Sequence, residues 1–148
     1  MRHGAPWTRA IRGTTLVEIG VILAVIGIAA GMALPRFTSY RDWIAADAAA
    51  ASTMAALSTA RHAAIRRATV TAVRFDTAGA WITVHSGPDT ILRRALGVVH
   101  GVRLAASRDS IAYAPNGMGF GAANTRLILS RGAAAETLAV SRLGRARR

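Results

Sequence analysis

Residues 14–34, TTLVEIGVILAVIGIAAGMAL, decide the fold, because they place one charged side chain, Glu18, in a run otherwise apolar from end to end. A helix rises about 1.5 Å per residue and a hydrocarbon core is roughly 30 Å thick, so a run of this length just spans it. An acid costs about 2.5 to 3.5 kcal/mol at the centre of such a helix and less toward its end. The sequence thus implies a partner that compensates Glu18, and the identity of that partner is the functional question.

On the N-terminal side, residues 1–13 (MRHGAPWTRAIRG) carry Arg2, Arg9 and Arg12 and no acid, the composition of a leader kept on the cytoplasmic side. Arg36 and Arg41 beyond the run reduce that asymmetry. On the C-terminal side, Pro35 is followed by an alanine-rich stretch, 42–68, without glycine or proline. Met54, Leu57, Arg61, Ala64, Ile65 and Ala68 recur there at three- and four-residue spacings, which predicts a helix face laid on a sheet. The reading is one long helix, kinked or loosened near Gly27, Gly31 and Pro35, with a membrane half at 14–35 and a docking half at 36–68.

From residue 69 the pattern changes to short β-type runs at 70–75, 80–85, 101–105, 110–114, 125–130 and 137–141. Turn residues at 76–79, 86–89, 115–121 and 131–134 separate them, and 91–99 fits either a strand or a short helical turn. Trp81 reads as an anchor in the sheet core. The predicted class is α+β: a long N-terminal helix packed on a mostly antiparallel sheet. Residues 36–148 form one globular domain, comprising helix 36–68, strands within 69–141 and a basic tail at 142–148.

The chain is 148 residues long with a net charge of +12, and all 19 of its Lys plus Arg residues are Arg. That charge favours anionic partners, whether nucleic acid, membrane or acidic polymer, without choosing among them. The absence of cysteine excludes disulfides and thiolate metal sites.

Gly13-Thr14-Thr15-Leu16-Val17-Glu18, with the apolar run and Leu34-Pro35 behind it, resembles the class III signal of type IV pilins and type II secretion pseudopilins. The segment 60–67 (ARHAAIRR), then 111–117 (IAYAPNG), then 138–147 (LAVSRLGRAR) extend the resemblance to the GspH/FimT family of minor pseudopilins and minor pilins over nearly the whole chain. The resemblance implies a pilin-like fold, cleavage after Gly13 by prepilin peptidase, and methylation of the new N-terminal amine, that of Thr14. Thr14 departs from the family, whose first mature residue is nearly always phenylalanine. Glu18 then occupies the fifth mature position, where the family's acid meets the N-terminal amine of a neighbouring subunit during assembly. A carboxylate and an ammonium, each costly alone in a low dielectric, become a pair that favours register between subunits. The implied partners are other pilins or pseudopilins, the peptidase and the inner membrane, with the C-terminal domain in the periplasm.

Other readings of the same residues stay open. A conventional secretory signal cleaved near Gly31-Met32-Ala33 would free a soluble domain, although the helical pattern continues past that cut. The tail holds Arg142, Arg145, Arg147 and Arg148 around Gly144 and reads either as a solvated, frayed end or as a phosphate-binding patch. In FimT-like members the Gly-Arg-x-Arg element is associated with DNA binding, so the candidate DNA residues are Arg142, Gly144, Arg145 and Arg147, with Arg61, Arg66 and Arg67 as an extension. Secreted cargo is the corresponding partner of the secretion branch. His3, His62, His85 and His100 lack ligand spacing, and residues 117–121 (GMGFG) lack the helix and Lys-Ser/Thr ending of a phosphate loop. No catalytic residue, metal or cofactor is expected.

Overall fold

The computed structural model describes residues 15–121 and 124–148, and the chain divides after Phe37 into an N-terminal helical part and a compact domain, Thr38–Arg148. Helix α1 (Leu16–Arg67) runs through both and continues through Gly27, Gly31 and Pro35. It closes on Ala68, whose φ of +48° ends the turn. Ala68 N–H donates to Ile65 O at 3.3 Å and Thr69 N–H to Ala64 O at 3.2 Å, the bond pair of a Schellman cap built on alanine instead of glycine.

In the N-terminal part the apolar side chains face outward, with Leu16, Val17, Leu23, Ile28 and Met32 all exposed. A surface of that kind is stable only in an apolar solvent or against other helices. Among the described residues it belongs to the one helix long and apolar enough to cross a membrane.

Within the compact domain, the strands are β1 (Thr71–Asp76), β2 (Trp81–Ser86), β3 (Asp89–Ala95), β4 (Arg103–Ala106), β5 (Ser110–Tyr113), β6 (Gly119–Phe120), β7 (Thr125–Arg131), β8 (Ala134–Val140) and β9 (Ala146–Arg147). A short helix, α2 (Leu96–His100), follows β3. All pairings are antiparallel and give two sheets, β3-β2-β1-β5-β6 and β4-β7-β8-β9. Period-two alternation turns Val73, Phe75, Ile82, Val84, Ile111 and Tyr113 of the first sheet inward, together with Leu127, Leu129, Leu138 and Val140 of the second.

The helix face that meets these side chains differs from the predicted one. Ala46, Ala49, Ala50, Thr53, Ala56, Leu57, Ala60, Ala63 and Ala64 are buried, whereas Ile65 and Ala68 are exposed and Met54 and Arg61 half-buried. Only Leu57 and Ala64 of the expected stripe are fully covered. The physical reason is volume: large strand residues fill the interlayer space, so the helix contributes methyl groups where bulk would overpack.

Further corrections concern the sheet. Residues 91–99 are both things in succession, strand to Ala95 and helix from Leu96; Asp89, read as turn, opens β3. The stretch 115–121 contains β6, and residues 134–136, read as turn or left unassigned, belong to β8. Trp81 lies half-buried on the outer face of β2, with the Arg93 guanidinium 4.1 Å from its ring centroid, while Ile82, Val84 and Ser86 take the core positions. The cation–π contact satisfies an indole that the core has no space for. The tail is neither frayed nor free, because β9 pairs with β8 and Arg148 is held by Glu136 of β8 and Asp47 of the helix.

Candidate functional site

Gly13 and Thr14 lie outside the described residues. The helix begins at Leu16, and Glu18 occupies its first turn, where Glu18 N–H donates to Thr15 O at 3.1 Å and to Thr15 Oγ1 at 3.2 Å. Thr15 thus acts as the N-cap and Glu18 as the third helical residue, the spacing of a capping box with the bond from the Glu18 N–H to the Thr15 side chain formed. The Thr-x-x-Glu spacing carried this signal in the sequence and the reading missed it. An acid in the first turn also meets the positive end of the helix dipole.

At the other end of the chain, Ser141 to Arg145 form a tight hairpin loop. Gly144 N–H donates to Ser141 O at 2.8 Å, Ser141 N–H to Arg145 O at 2.8 Å, and Gly144 has φ +74°. This is a three-residue loop closed by a glycine bulge, a position that needs a left-handed residue. Residues 114–118 repeat the geometry: Gly117 N–H donates to Ala114 O and Ala114 N–H to Met118 O, both at 2.8 Å, with Gly117 at φ +76°. The two loops converge on the end of α1. A Cβ on Gly144 would lie 2.7 Å from Tyr113 Cε1 and 3.1 Å from Gly119 N; one on Gly117 would lie 2.8 Å from Ile65 Cδ1. The motifs that carry the family resemblance are therefore packing joints as well as turns.

This loop presents the arginines. The register Arg126↔Ala139↔Arg147 places Arg126 and Arg147 on the outer face of the second sheet with a methyl group between them. Two strand spacings, about 9.6 Å, separate their backbones. Arg145 falls one row further on the same face, opposite Ser141. The groove bounded by these arginines has a volume of about 770 Å³. The Thr125 hydroxyl, on the inner face of β7, is buried without a hydrogen-bond partner among the described residues. Arg145, Arg147 and Arg126 make no ion pair among the described residues, so their forked donors are free for an anion. Arg126 was missed because it lies 16 residues or more from the tail and joins it only through strand register. Arg142 is exposed at the loop tip. Arg148 is not part of the patch: its guanidinium pairs with Asp47 at 2.5 Å and with Glu136 at 3.7 Å.

A second groove, of about 510 Å³, lies between β9 and α1, with Met54, Leu57, Arg61, His62, Ile65 and Tyr113 on its walls. Burial pushes the Tyr113 phenol up to about 12, and the nearby positive charge of Arg61 offsets part of that rise. Arg66 is exposed, and Arg67 pairs with Asp89 at 3.0 Å. The described histidines are dispersed: His85 Nδ1 meets Thr90 Oγ1 at 3.2 Å, His100 Nε2 meets Ser52 Oγ at 3.3 Å, and His62 lies on the groove wall. No metal-holding group of His, Asp or Glu occurs among the described residues, and His3 lies outside them.

Comparison with known proteins bears on these features. A family profile described as Type II transport protein GspH matches residues 49–144. The fold is similar to that of the type IV minor pilin FimU of Pseudomonas aeruginosa strain PAO1 in two crystal forms. One has a TM-score of 0.59 at 14% identity and covers 69% of this chain and 86% of that one. The other has a TM-score of 0.56 at 13% identity and covers 68% and 90%. No curated protein sequence matches.

Proposed function

This chain belongs to the GspH family of type IV pilin-like minor pilins and pseudopilins, and from that premise we propose that it is a minor pseudopilin of a type II secretion pseudopilus. Prepilin peptidase cuts after Gly13 and methylates the amine of Thr14. The subunit waits in the inner membrane with its compact domain in the periplasm, then joins the fibre through its N-terminal helix. The observation that carries this reading is the first stretch of α1, residues 16–34: apolar on every side, exposed, and bearing one acid.

The mechanism is one of assembly. Glu18 is held in the first helical turn by the Thr15 cap, about one turn from the amine that cleavage would create at Thr14. In the lipid both charges are unsatisfied within one subunit, and a neighbour's ammonium reaching Glu18 neutralises both. The net energy of such a pair is modest, but mispaired registers leave two buried charges, so the pair selects the correct stagger. Cargo contact falls to the compact domain. The test is Glu18→Ala: insertion and cleavage persist, and recovery of the subunit in sheared fibres falls by about tenfold or more, as expected for loss of about 1.4 kcal/mol or more of assembly energy. Wild-type recovery of that variant would refute the reading.

The arginine groove supports a second reading, a minor pilin that binds DNA for uptake. Arg126, Arg145 and Arg147 would contact backbone phosphates regardless of sequence. Each of these changed to alanine should lower the slope of log affinity against log salt by about 0.9. Unchanged slopes in all three variants would remove it.

A further inference from the structure

The groove between β9 and α1 is walled by the four consecutive residues Gly144, Arg145, Ala146 and Arg147. Gly144 and Arg145 belong to the loop, but Ala146 and Arg147 are adjacent residues of β9 whose side chains take opposite faces, so a groove lined by both runs along the strand's edge. Ladder register says which backbone groups that edge offers. Ser141 and Arg145 are a hydrogen-bonded pair, so Val140↔Ala146 is a non-bonded pair and Ala139↔Arg147 a bonded one. Ala146 N–H and C=O therefore point away from β8, into the groove, and β9 is the last strand of its sheet. Facing them, α1 supplies an apolar strip, Met54, Leu57 and Ile65, flanked by Arg61 and His62.

We propose that this slot binds an extended segment of a different, acidic subunit of the fibre, which adds as a strand to the free edge of β9. An added strand lies about 4.8 Å from its neighbour, paired through the Ala146 backbone. Its inward side chain is apolar and meets Met54 and Ile65; its carboxylates meet Arg61, Arg145 and Arg147. Charge selects the partner: a chain of net charge +12, still strongly basic once Arg2, Arg9 and Arg12 leave with the leader, repels its own copies, and the slot's rim is cationic. The inference rests on the fibre-subunit reading, yet its test needs no fibre.

The probe is a fluorescein-labelled pentapeptide with a central leucine flanked by aspartate and glutamate, titrated by anisotropy against the full chain in neutral detergent micelles. Saturable binding is expected. It weakens by about tenfold for the same peptide N-methylated on the bonding amides, since one or two net hydrogen bonds are lost. It weakens comparably for Ala146→Pro, which removes a donor that the β8 ladder does not use, and for Ile65→Glu, an exposed position on a helix that tolerates glutamate. Equal binding of the N-methylated peptide, or no saturable binding, would overturn the inference and leave the pilin reading untouched. So would a labelled DNA duplex that binds wild type and loses affinity in Ile65→Glu, or self-association of the chain abolished by that change.

Discussion

Replacing Gly144 by alanine tests the joint on which the C-terminal hairpin depends. Two costs add. A non-glycine residue at φ +74° costs about 1 to 2 kcal/mol from its own backbone. The new methyl would also lie 2.7 Å from Tyr113 Cε1 and 3.1 Å from a backbone nitrogen, Gly119 N. Tyr113 is 1% exposed and cannot swing aside, so the overpacking adds about 1 to 3 kcal/mol. The sum, about 3 kcal/mol, corresponds to a fall in Tm of roughly 10 °C for a domain of this size. Gly87→Ala separates the two costs, because Gly87 has φ +59° with nothing within 4 Å of its would-be Cβ. It should lose about half as much, the backbone share alone. Melting both variants by circular dichroism in the same detergent decides the matter. Equal losses would show that the contact with Tyr113 contributes nothing, and a silent Gly144→Ala would refute the hairpin geometry itself.

Two other outcomes follow from the same physics. Ala68→Gly relieves the left-handed strain in the cap of α1 and should raise stability by about 1 kcal/mol, read as a higher denaturant midpoint; a lower midpoint would contradict the cap. Tyr113 has its folded value raised from 10.0 to about 12, so its contribution to stability is complete below pH 10 and is lost as pH rises toward 12, because the unfolded phenol releases its proton first. Wild type should therefore lose more stability over that interval than Tyr113→Phe, and tyrosinate absorbance assigned to Tyr113 near pH 10 would exclude the burial described.

The parts of the fold that were legible in the sequence are those set by strong periodicity. The apolar run with Glu18, the alanine-rich helix behind it and six of the strands each repeat a pattern that one kind of backbone satisfies. What was not legible depends on distance in space. Alanines at 49, 50, 56 and 60 look neutral in a helix until the bulk of Tyr113, Leu127 and Leu129 in the same core is known. Trp81 points outward because Ile82 and Val84 already fill the inner positions of β2. The tail became a strand because Val140 and Ala146 pair across a glycine loop, and Arg126 joined the arginine patch through the register of three strands. Such relations arise between residues far apart in the chain, where no local spacing records them. The Thr15–Glu18 cap is the exception, a local signal present in the sequence and overlooked because Glu18 was weighed only against the membrane.

The central claim is that cleavage after Gly13 exposes an amine for which Glu18 is the partner in a neighbouring subunit. Intact-mass and N-terminal peptide mass spectrometry of the subunit isolated from assembled fibres tests it most directly. The account predicts a chain that begins at Thr14 and carries one added methyl group. A fibre-borne subunit that retains residues 1–13, or that begins at Met32 or later, would contradict it.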